Sequence, residues 1–547
     1  MSQIIDLGVF SPDIGDVVRQ LKQDLKDDWY PDSLGYEDVL KPEVITEFLS
    51  NSFEENHGLF MPEGRTELNI PKKGFVLRYS LEMSLPDRLY YQALVSHLIP
   101  FYDAIIPSHV LNHRYAARGR RAGRYLFKHP VEQWQLFRGY IARESATKPV
   151  VLVTDVQNFY ENIAIDRIVA VLEDNLSLIS ASGVEKSGIR RIIGELRRCL
   201  AAWCYAPTHG LPQNRDASSF LASLVMLPVD AAMLRCGYSY YRYMDDIRIA
   251  VKTKYEARQA LQVLTTELRR LGLNINAAKN QILEPSMEGY EDALRKDEPT
   301  LSEIDSMWRS RSLPVIRRSF VPLQKLAQDL IARGATQERA FRFCVHKFVN
   351  LALCPELAIP KTYFDPMTDA CIRELDSQPF SSDKLVTLLK AVPTSDNQIS
   401  AVVTLLKDPE RSFYDWQNYL LWQLLVYKKH SDSDLIVAAR TRVASTDRPA
   451  DRAGATLYLG AMGENSDRQY VSACFNSCEH HIVQRNALIA VHEIDFHSGI
   501  KQNVAAHVLP SLKGTYRRLR DTFYGQYHRP LPSISAVDIY DEVSAYD

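Results

Sequence analysis

Three aspartates stand at positions where their carboxylates could bind metal ions. Asp155 ends the β-branched run VVLVT, and Asp245 and Asp246 lie between the runs YYRYM and IRIAV. Adjacent carboxylates about 4 Å apart repel each other by roughly 4 kcal/mol at an effective dielectric constant of about 20, and bound divalent cations compensate this repulsion. Three converging carboxylates can hold two Mg²⁺ ions, with Mn²⁺ as a substitute, to activate an attacking oxygen and stabilise a leaving pyrophosphate. Considered alone, the Asp-Asp pair is more typical of a solvated turn, and only the flanking strands taken together with the upstream strand that ends at Asp155 favour a metal site.

The segments around these aspartates predict the strands that position them. KPVVLVTDV, residues 148–156, is a β-branched run typical of a buried strand. YSYYRYMDDIRIAVK, residues 238–252, contains two strand-like runs joined by a very short link. This pattern predicts a β-hairpin with the two acids at its tip. Since helical segments lie between and after these strands, we expect an α/β or α+β domain up to about residue 290, and we take α+β as the fold class.

The second half of the chain, from about residue 291, is predicted to be helical. Short helical stretches recur every 25–45 residues or so, separated by Pro, Asp, Ser and Gly. This spacing suggests stacked helical hairpins like those of a HEAT array. An irregular helical domain is nearly as compatible with the sequence.

Composition and cysteine usage predict a cytoplasmic protein. No segment of the 547 residues approaches the run of about 20 apolar residues that a membrane helix needs. The N-terminus lacks a basic region followed by an apolar run, so we expect no signal peptide. The eight scattered cysteines do not suggest a disulfide framework. A zinc site is a minor alternative for the cluster formed by Cys474, Cys478, His480 and His481.

A basic segment, HRYAARGRRAGRYLFKHP (residues 113–130), stands out although the net charge of the chain is only −2. It contains five arginines, one lysine, three aromatic residues and no acid. Phosphate backbones attract such a segment, and bases stack on its rings and guanidinium planes. A solvated basic surface loop is the alternative. The residues predicted to bind nucleic acid are Arg114, Arg118, Arg120, Arg121 and Arg124.

Taken together, five segments resemble the motifs of reverse transcriptases, in the order in which that family has them. They are the fingers hairpin IPKKGFVLRYSLEMSLPDRLYYQAL (70–94), motif A TDVQNFY (154–160), motif B GLPQNRDASSFLASL (210–224), motif C YMDD (243–246) and motif D LRRLGLNINAAKNQIL (268–283). The resemblance covers about residues 65–285. It implies a right-hand polymerase with N-terminal helices and fingers over 1–147, a palm over 148–290 and an α-helical, HEAT-like domain over 291–547.

The resemblance also implies roles for single residues. Asp155, Asp245 and Asp246 are the expected catalytic residues, and together with Val156 they form the expected metal-binding set. The expected nucleotide-binding residues are Lys72, Arg78, Tyr160, Gln213 and Lys279. In this interpretation Lys72 and Arg78 clamp the triphosphate, and Lys279 protonates the departing pyrophosphate. The Tyr160 ring excludes a 2′-hydroxyl. Close approach of the template or nucleotide is allowed by Gln213 and the small residues Ala217, Ser218 and Ser219. Each role has a structural alternative. Lys72, Arg78 and Lys279 are alternatively solvated surface charges, and Tyr160 is alternatively a core aromatic. The segment with Gln213 and the small residues is alternatively a helix start packed on the sheet.

Motif B departs from the family pattern at one position. The family usually has glycine after LPQ, whereas this chain has Asn214. Asn is the non-glycine residue that best tolerates a positive φ. We therefore expect the turn to survive the substitution.

The helical second half, which shows no RNase H, integrase or maturase motif, resembles that of bacterial defence-associated reverse transcriptases of the abortive-infection, AbiK/AbiA-like ("unknown group") type. This resemblance implies antiphage defence, homo-oligomers, deoxynucleoside triphosphates as substrates, a DNA product and an RNA template or non-coding RNA as partner. It also implies DNA synthesis that needs no template and starts on a protein hydroxyl. The tail tyrosines that could supply this hydroxyl are Tyr524, Tyr527, Tyr540 and Tyr546.

Two other functions remain open at this point. An inactive polymerase-like scaffold would bind nucleic acid without catalysis, but the presence of all three aspartates argues against it. An RNA-dependent RNA polymerase would share the metal site, but Tyr160 as a sugar gate argues against it.

Overall fold

A computed structural model describes residues 4, 6, 7, 9–116, 126–294, 299–494 and 504–542. The strands in this part of the chain are β1 (Arg65–Pro71), β2 (Leu77–Met83), β3 (Val150–Asp155), β4 (Ser239–Tyr243), β5 (Asp246–Val251) and β6 (Gln281–Leu283). The helices up to residue 270 are α1 (Ile14–Asp24), α2 (Pro42–Glu55), α3 (Leu85–Tyr102), α4 (Pro130–Ser145), α5 (Phe159–Asn162), α6 (Ile165–Asp174), α7 (Gly183–Trp203), α8 (Asp216–Val225), α9 (Leu227–Arg235) and α10 (Lys254–Arg270).

The later part of the described chain contains helices and no further strand after β6. These helices are α11 (Tyr290–Leu294), α12 (Pro299–Arg309), α13 (Leu313–Arg318), α14 (Phe320–Ala332), α15 (Arg339–Leu353), α16 (Asp365–Ser377), α17 (Ser382–Ala391), α18 (Asp396–Lys407), α19 (Asp415–Tyr427), α20 (Ser433–Ala444), α21 (Pro449–Met462), α22 (Asn465–Ala473), α23 (His481–Val491), α24 (Lys513–Thr522) and α25 (Ala536–Glu542). The α+β fold class and the helical C-terminal region are therefore confirmed.

The palm sheet has the strand order β4-β5-β3-β6, with every neighbouring pair antiparallel. The run VVLVT forms a strand because its β-branched residues pack on both faces of the sheet. Val150 and Leu152 lie in the core shared with α6, α8 and α10, whereas Val151 faces Phe137 and Ile141 of α4. Burial on both faces fixes the register, since a one-residue slip would exchange the two sets of side chains.

The fingers hairpin pairs β1 with β2 in register from Arg65 opposite Met83 to Pro71 opposite Leu77. The Lys72 N–H donates to the Val76 carbonyl at 2.7 Å and closes the turn. Gly74 in this turn has φ +82°, which glycine adopts without a side-chain clash. The hairpin expected within residues 70–94 is thus confirmed.

The C-terminal helices stack in two layers. In one layer α15, α17, α19, α21 and α23 contact one another in succession. In the other layer the same holds for α14, α16, α18 and α20, and α22 packs against α21 and α23. Two layers of alternating helices are the arrangement expected of a HEAT-like array.

The core of this helical array, which we call the helical core, extends into the N-terminal part of the chain. Leu68 and Ile70 of β1 are buried in it, and so are Tyr30 and Leu34 from the segment between α1 and α2. The domain limits at residues 147 and 290 stay predictions. The packing shows that the fingers strand and the helical array share one apolar core.

Arg485 of α23 joins the same two regions through buried ion pairs. Its guanidinium donates to Asp32 at 2.8 Å and to Asp38 at 2.5 Å, and all three side chains are at most 3% exposed. The Thr515 hydroxyl also accepts from Arg485, at 2.7 Å. A cation shared by two buried carboxylates holds the array against the N-terminal segment.

No single helix of the described chain is long and apolar enough to cross a membrane. Among the described helices, only α8 and α9 taken together reach the length and apolar composition of a membrane span, and they are bent by 43° relative to each other. All eight cysteines are free thiols.

Replacing Arg485 should destabilise the fold strongly. We expect Arg485→Ala to lower the free energy of unfolding by about 3–5 kcal/mol, because the Asp32 and Asp38 carboxylates stay buried without their cation. Urea unfolding followed by circular dichroism measures this. The matched control is Arg518→Ala, which removes a more exposed pair with Glu47 and should cost less than about 1 kcal/mol. Equal losses in the two variants would contradict the interpretation.

Candidate active site

The palm sheet brings the three aspartates to one end. Asp155, the last residue of β3, lies directly opposite Asp246, the first residue of β5. Asp245 is held beside them, since its carbonyl accepts from the Val156 N–H at 3.3 Å. Two segments some ninety residues apart in sequence therefore meet as the motifs predicted.

The hairpin that carries Asp245 and Asp246 has a strained two-residue link. Met244 has φ +59°, a left-handed conformation that costs a residue with a side chain roughly 1–2 kcal/mol. Asn112 stabilises it by accepting from the Met244 N–H at 2.8 Å, and Arg242 donates to the Met244 carbonyl at 3.0 Å. Both polar groups of the strained peptide segment are thereby satisfied.

Arg242 is in turn held by Asp230 of α9. Both side chains are 0% exposed, and the guanidinium donates to the carboxylate at 2.7 and 2.8 Å. The Tyr240 hydroxyl donates to the same carboxylate at 2.7 Å. Sequence analysis missed Asn112, Arg242 and Asp230. The one available signal was an arginine in an otherwise apolar and aromatic strand, where an unpaired charge is costly.

The acidic end of the sheet is electrostatically unfavourable without a counterion. Desolvation and the charge of Asp155 raise the pKa of Asp245. Desolvation by the surrounding protein, followed by the charge of Asp245, raises the pKa of Asp246 to about 6, although that residue reaches the solvent. Asp155 is buried, and its Oδ1 accepts no hydrogen bond from any described residue.

Lys279 is the cation that pairs with Asp155. Its ammonium lies 2.5 Å from Asp155 Oδ2, and the negative charges around it raise its pKa. Lys279 is the last residue of a short 3₁₀ turn. Asn276, which caps the start of this turn, donates its N–H to the Asp155 carbonyl at 2.9 Å. The structure therefore places the predicted motif D lysine on the predicted motif A aspartate.

The donor chemistry at this end of the sheet fits a hard divalent cation. An unpartnered buried carboxylate oxygen and two further carboxylates with raised pKa values are the oxygen donors that Mg²⁺ and Mn²⁺ accept. Among the described residues, no three His, Cys, Asp or Glu side chains already surround a common point. Since Asp155 is paired with Lys279, binding a cation requires these side chains to reorient.

Lys72 and Arg78 lie at the turn end of the fingers hairpin. Both side chains are half-buried, and neither makes a hydrogen bond or ion pair with another described residue. Burial lowers the pKa of Arg78, and the negative charges of Asp245 and Glu161 act against this shift. Arg78 is therefore within electrostatic reach of the acidic site, as its predicted role requires. Glu161 is a further acid near these cations that sequence analysis did not single out.

Tyr160 connects motif A with motif B. Its hydroxyl lies 2.8 Å from the Ser219 hydroxyl of α8, and its ring packs against the core that contains Val150 and Leu152. The short helix that carries Tyr160 is preceded by Asn158 with φ +46°, which turns the chain sharply after β3. Tyr160 thus has a fixed position five residues after Asp155.

The motif B loop has the predicted turn. Asn214 adopts φ +56°, and its amide donates to the Asp27 carbonyl at 2.6 Å, so the expectation for this substitution is confirmed. Gly210 has φ +89°, and a Cβ there would lie 2.6 Å from that of Tyr205. The Tyr79 hydroxyl donates to the Leu211 carbonyl at 3.0 Å, and the Gln213 side chain lies near this hydroxyl.

A buried ionic network lies directly behind this loop. Arg215 donates to Glu82 of β2 at 3.0 Å and to Asp28 at 3.3 Å. Arg88 of α3 donates to Asp28 at 2.6 Å and to Asp24 of α1 at 3.2 Å. Sequence analysis missed this network because its members come from distant segments. It fixes the motif B loop relative to the fingers.

The basic segment divides into two parts. Arg114 is turned inward: it donates to Asp103 at 2.8 Å and to the Pro107 and Val110 carbonyls at 3.0 Å. Its contacts are thus structural, and its assignment to nucleic acid stays a prediction without support from its environment. The other predicted arginines, which are Arg118, Arg120, Arg121 and Arg124, lie outside the described residues.

The four residues weighed as a zinc site have other contacts. His480 lies 3.4 Å from the Thr66 hydroxyl, and Cys478 donates to the Cys474 carbonyl at 3.5 Å. His481 lines a small cavity that Arg485 also borders. No metal-binding group that includes them occurs in the described chain.

The tail tyrosines differ in exposure. Tyr524 is 66% exposed, whereas Tyr527 is buried and lies 3.2 Å from Arg468. Tyr540 packs against the helical core, and Tyr546 lies outside the described residues. Tyr524 is the most accessible of the described three.

Residues 70–291 match the family of reverse transcriptases (RNA-dependent DNA polymerases). This range contains all five motifs and the three aspartates. The chain therefore contains a reverse transcriptase domain, and the prediction of an RNA-directed DNA polymerase is confirmed.

Two solved structures similar to this chain are telomerases from Candida tropicalis. The apo telomerase is 10% identical, with 81% of this chain and 74% of that chain covered and a TM-score of 0.29. The telomerase in complex with a TWJ fragment of telomeric RNA is 10% identical, with 88% and 71% covered and a TM-score of 0.31. Scores of this size do not establish a shared overall fold. A search of curated protein sequences finds no match.

Removing the Asn112 side chain should loosen the hairpin tip. We expect Asn112→Ala to cost about 1–3 kcal/mol, because the Met244 N–H is left buried without an acceptor. The rate of nucleotide incorporation should fall as well, since Asp245 follows Met244 directly. Urea unfolding and single-turnover incorporation measure the two effects. Asn175→Ala is the control: it removes one hydrogen bond to the Val171 carbonyl at the end of α6 and should leave the rate unchanged. An unchanged rate in folded Asn112→Ala would refute the role.

Proposed function

We propose that this chain is a reverse transcriptase-type DNA polymerase that adds deoxynucleotides with the help of two Mg²⁺ ions and acts in bacterial antiphage defence by abortive infection. The main support for catalysis is the pairing of Asp155 opposite Asp246 on neighbouring strands, within a segment that matches the reverse transcriptase family. An inactive scaffold would have no need of so costly a cluster of carboxylates.

Asp155, Asp245 and Asp246 would hold the ions, together with the carbonyl of Val156, and Mn²⁺ would substitute for Mg²⁺. When bound, such ions activate the attacking 3′-hydroxyl and stabilise charge on the departing pyrophosphate. Asp155 already offers an unpartnered oxygen for this purpose. Lys279 neutralises Asp155 in the absence of an ion.

The remaining side chains bind and orient the deoxynucleoside triphosphate. Lys72 and Arg78 have unused N–H donors and would bind the triphosphate oxygens. Tyr160 occupies a fixed position where its ring would exclude a 2′-hydroxyl. Lys279, released from Asp155, would donate its proton to pyrophosphate as a general acid. Gln213, which lies near Tyr79, would border the nucleotide or the template.

The assignment to defence rests on architecture. A polymerase followed by a two-layer helical array is the arrangement that we associated with the AbiK/AbiA-like group, and the stacked helices support that assignment. We extend the proposal to a cytoplasmic homo-oligomer whose partner is an RNA template or a non-coding RNA. Synthesis of its DNA product without a template, primed by a protein hydroxyl, is part of the same proposal. Exposure favours Tyr524 as the primer among the described tail tyrosines.

Two incubations test catalysis and priming together. Purified protein is mixed with Mg²⁺ and each labelled deoxynucleotide or ribonucleotide in turn, once without template and once with an added primer and template. We expect label that stays covalently attached to protein under denaturing conditions, is removed by nuclease, and is lost in Asp245→Ala. Synthesis only on an added primer and template would reject protein priming but keep the polymerase. Incorporation of ribonucleotides alone would indicate an RNA polymerase, and no incorporation under either condition would reject the proposed function.

Shortening Tyr160 should relax the discrimination between sugars. We expect Tyr160→Ala to raise the efficiency of ribonucleotide relative to deoxynucleotide incorporation on the order of 10- to 100-fold, because a steric barrier next to the 2′ position is removed. The ratio of kcat/KM values measures this. Tyr160→Phe is the control: it loses only the contact with Ser219 and keeps the ring, so the ratio should stay close to that of the wild type. The same ratio in all three proteins would exclude the gate.

A further inference from the structure

A three-residue segment, Trp29–Pro31, lies between the fingers hairpin and the helical array. On one side, the Arg78 guanidinium stands over the Trp29 ring, with its carbon 5.3 Å from the ring centroid. A guanidinium held by its face keeps its edge N–H groups free to bind oxygen atoms. Since Arg78 makes no hydrogen bond or ion pair with another described residue, the ring of Trp29 is its main orienting contact.

On the other side, α19 holds the backbone of this segment by three hydrogen bonds. Trp416 donates its indole N–H to the Trp29 carbonyl at 2.7 Å. The Tyr419 hydroxyl and the Gln423 amide both donate to the Pro31 carbonyl, at 2.9 and 2.7 Å. The donors come from successive turns of one helix face, so α19 fixes both ends of the segment.

Contacts with the reverse transcriptase domain fix Tyr30, within this segment, and Asp28, which precedes it. The Tyr30 hydroxyl donates to the Asn69 carbonyl of β1 at 3.3 Å, and the Tyr30 ring packs against that of Tyr419. Asp28, which precedes Trp29, is buried between Arg88 and Arg215. Trp29 therefore cannot shift without disturbing α19, β1 or the network behind motif B.

We infer that Trp29 is a positioning residue for Arg78, and that α19 makes the helical array part of the nucleotide-binding machinery through the Trp29–Pro31 segment. The inference deepens the proposed function and rests on it. The array acts at the triphosphate without touching the nucleotide. Arg78 binds the triphosphate, Trp29 sets the angle of its guanidinium, and α19 sets the position of Trp29.

The first test is the effect of Trp29 on the KM for deoxynucleotides. We expect Trp29→Leu to raise KM about 3- to 30-fold, with a smaller change in kcat, because a partly desolvated cation–π contact is lost. Trp29→Phe keeps an aromatic face and should recover most of the affinity. Tyr140→Leu is the matched control: it removes a contact with Arg143 that has the same 5.3 Å separation, and it should leave KM unchanged.

A double-mutant cycle decides whether Trp29 acts through Arg78. In an Arg78→Ala background, Trp29→Leu should change KM less than 2-fold, because the group that it positions is gone. The same 3- to 30-fold effect in both backgrounds would overturn the inference. So would a folded Trp29→Leu protein with the KM of the wild type.

Two substitutions in α19 test its contribution to the position of Trp29. Trp416→Phe keeps a buried ring and loses the N–H donor to Trp29, and Gln423→Met loses the donor to Pro31 at similar volume. Each should raise KM about 2- to 10-fold in a protein that keeps Trp29, and each should leave KM unchanged in the Trp29→Leu background. Effects on kcat alone, or equal effects in both backgrounds, would contradict coupling through the segment.

Binding separates failure of this inference from failure of the proposed function. The affinity for dTTP with Mg²⁺ is measured by calorimetry on wild type, Trp29→Leu and Arg78→Ala. A wild type that binds dTTP but incorporates none rejects the polymerase, while weaker binding by Trp29→Leu still supports its positioning role. Equal affinity in wild type and Trp29→Leu overturns the inference whatever the activity. A wild type that does not bind dTTP rejects both.

Discussion

The backbone pairing of β3 with β5 places Asp155 and Asp246 opposite each other although like charges repel. Six paired positions and an apolar core on each face of the sheet hold this register, so the carboxylates cannot separate unless the sheet itself comes apart. The strained Met244 link adds to the cost, and Asn112 and Arg242 offset it with hydrogen bonds to its backbone. The surrounding fold thus maintains a charge arrangement that would be relieved by a cation.

Buried ionic groups orient the other parts of the site in the same way. Arg215 links motif B to the second fingers strand and to the N-terminal segment, and Arg88 links the same segment to α3. Such networks contribute less to net stability than their number suggests, because each charge must be desolvated. Their value here is geometric: one shared carboxylate, Asp28, ties three distant segments to one position. The site consequently depends on residues far from its chemistry.

Local patterns in the sequence predicted much of this arrangement. The β-branched run, the short hairpin and the tolerance of Asn214 for a positive φ each depend on neighbouring residues only, and each is confirmed. Contacts between segments distant in the sequence could not be predicted from neighbouring residues. Arg242 and Trp29 gain their roles from partners that the fold alone brings close. Arg114 shows the converse, since its basic surroundings suggested nucleic acid whereas Asp103 holds it inside the protein.

The shared core of β1 and the helical array has a consequence for any separation of the two halves of the chain. Leu68 and Ile70 face the array, and Tyr30 lies between them and α19. A polymerase released from this partner would carry an uncovered apolar strand face, which favours aggregation. The two halves are therefore not independent units, because each covers an apolar surface of the other.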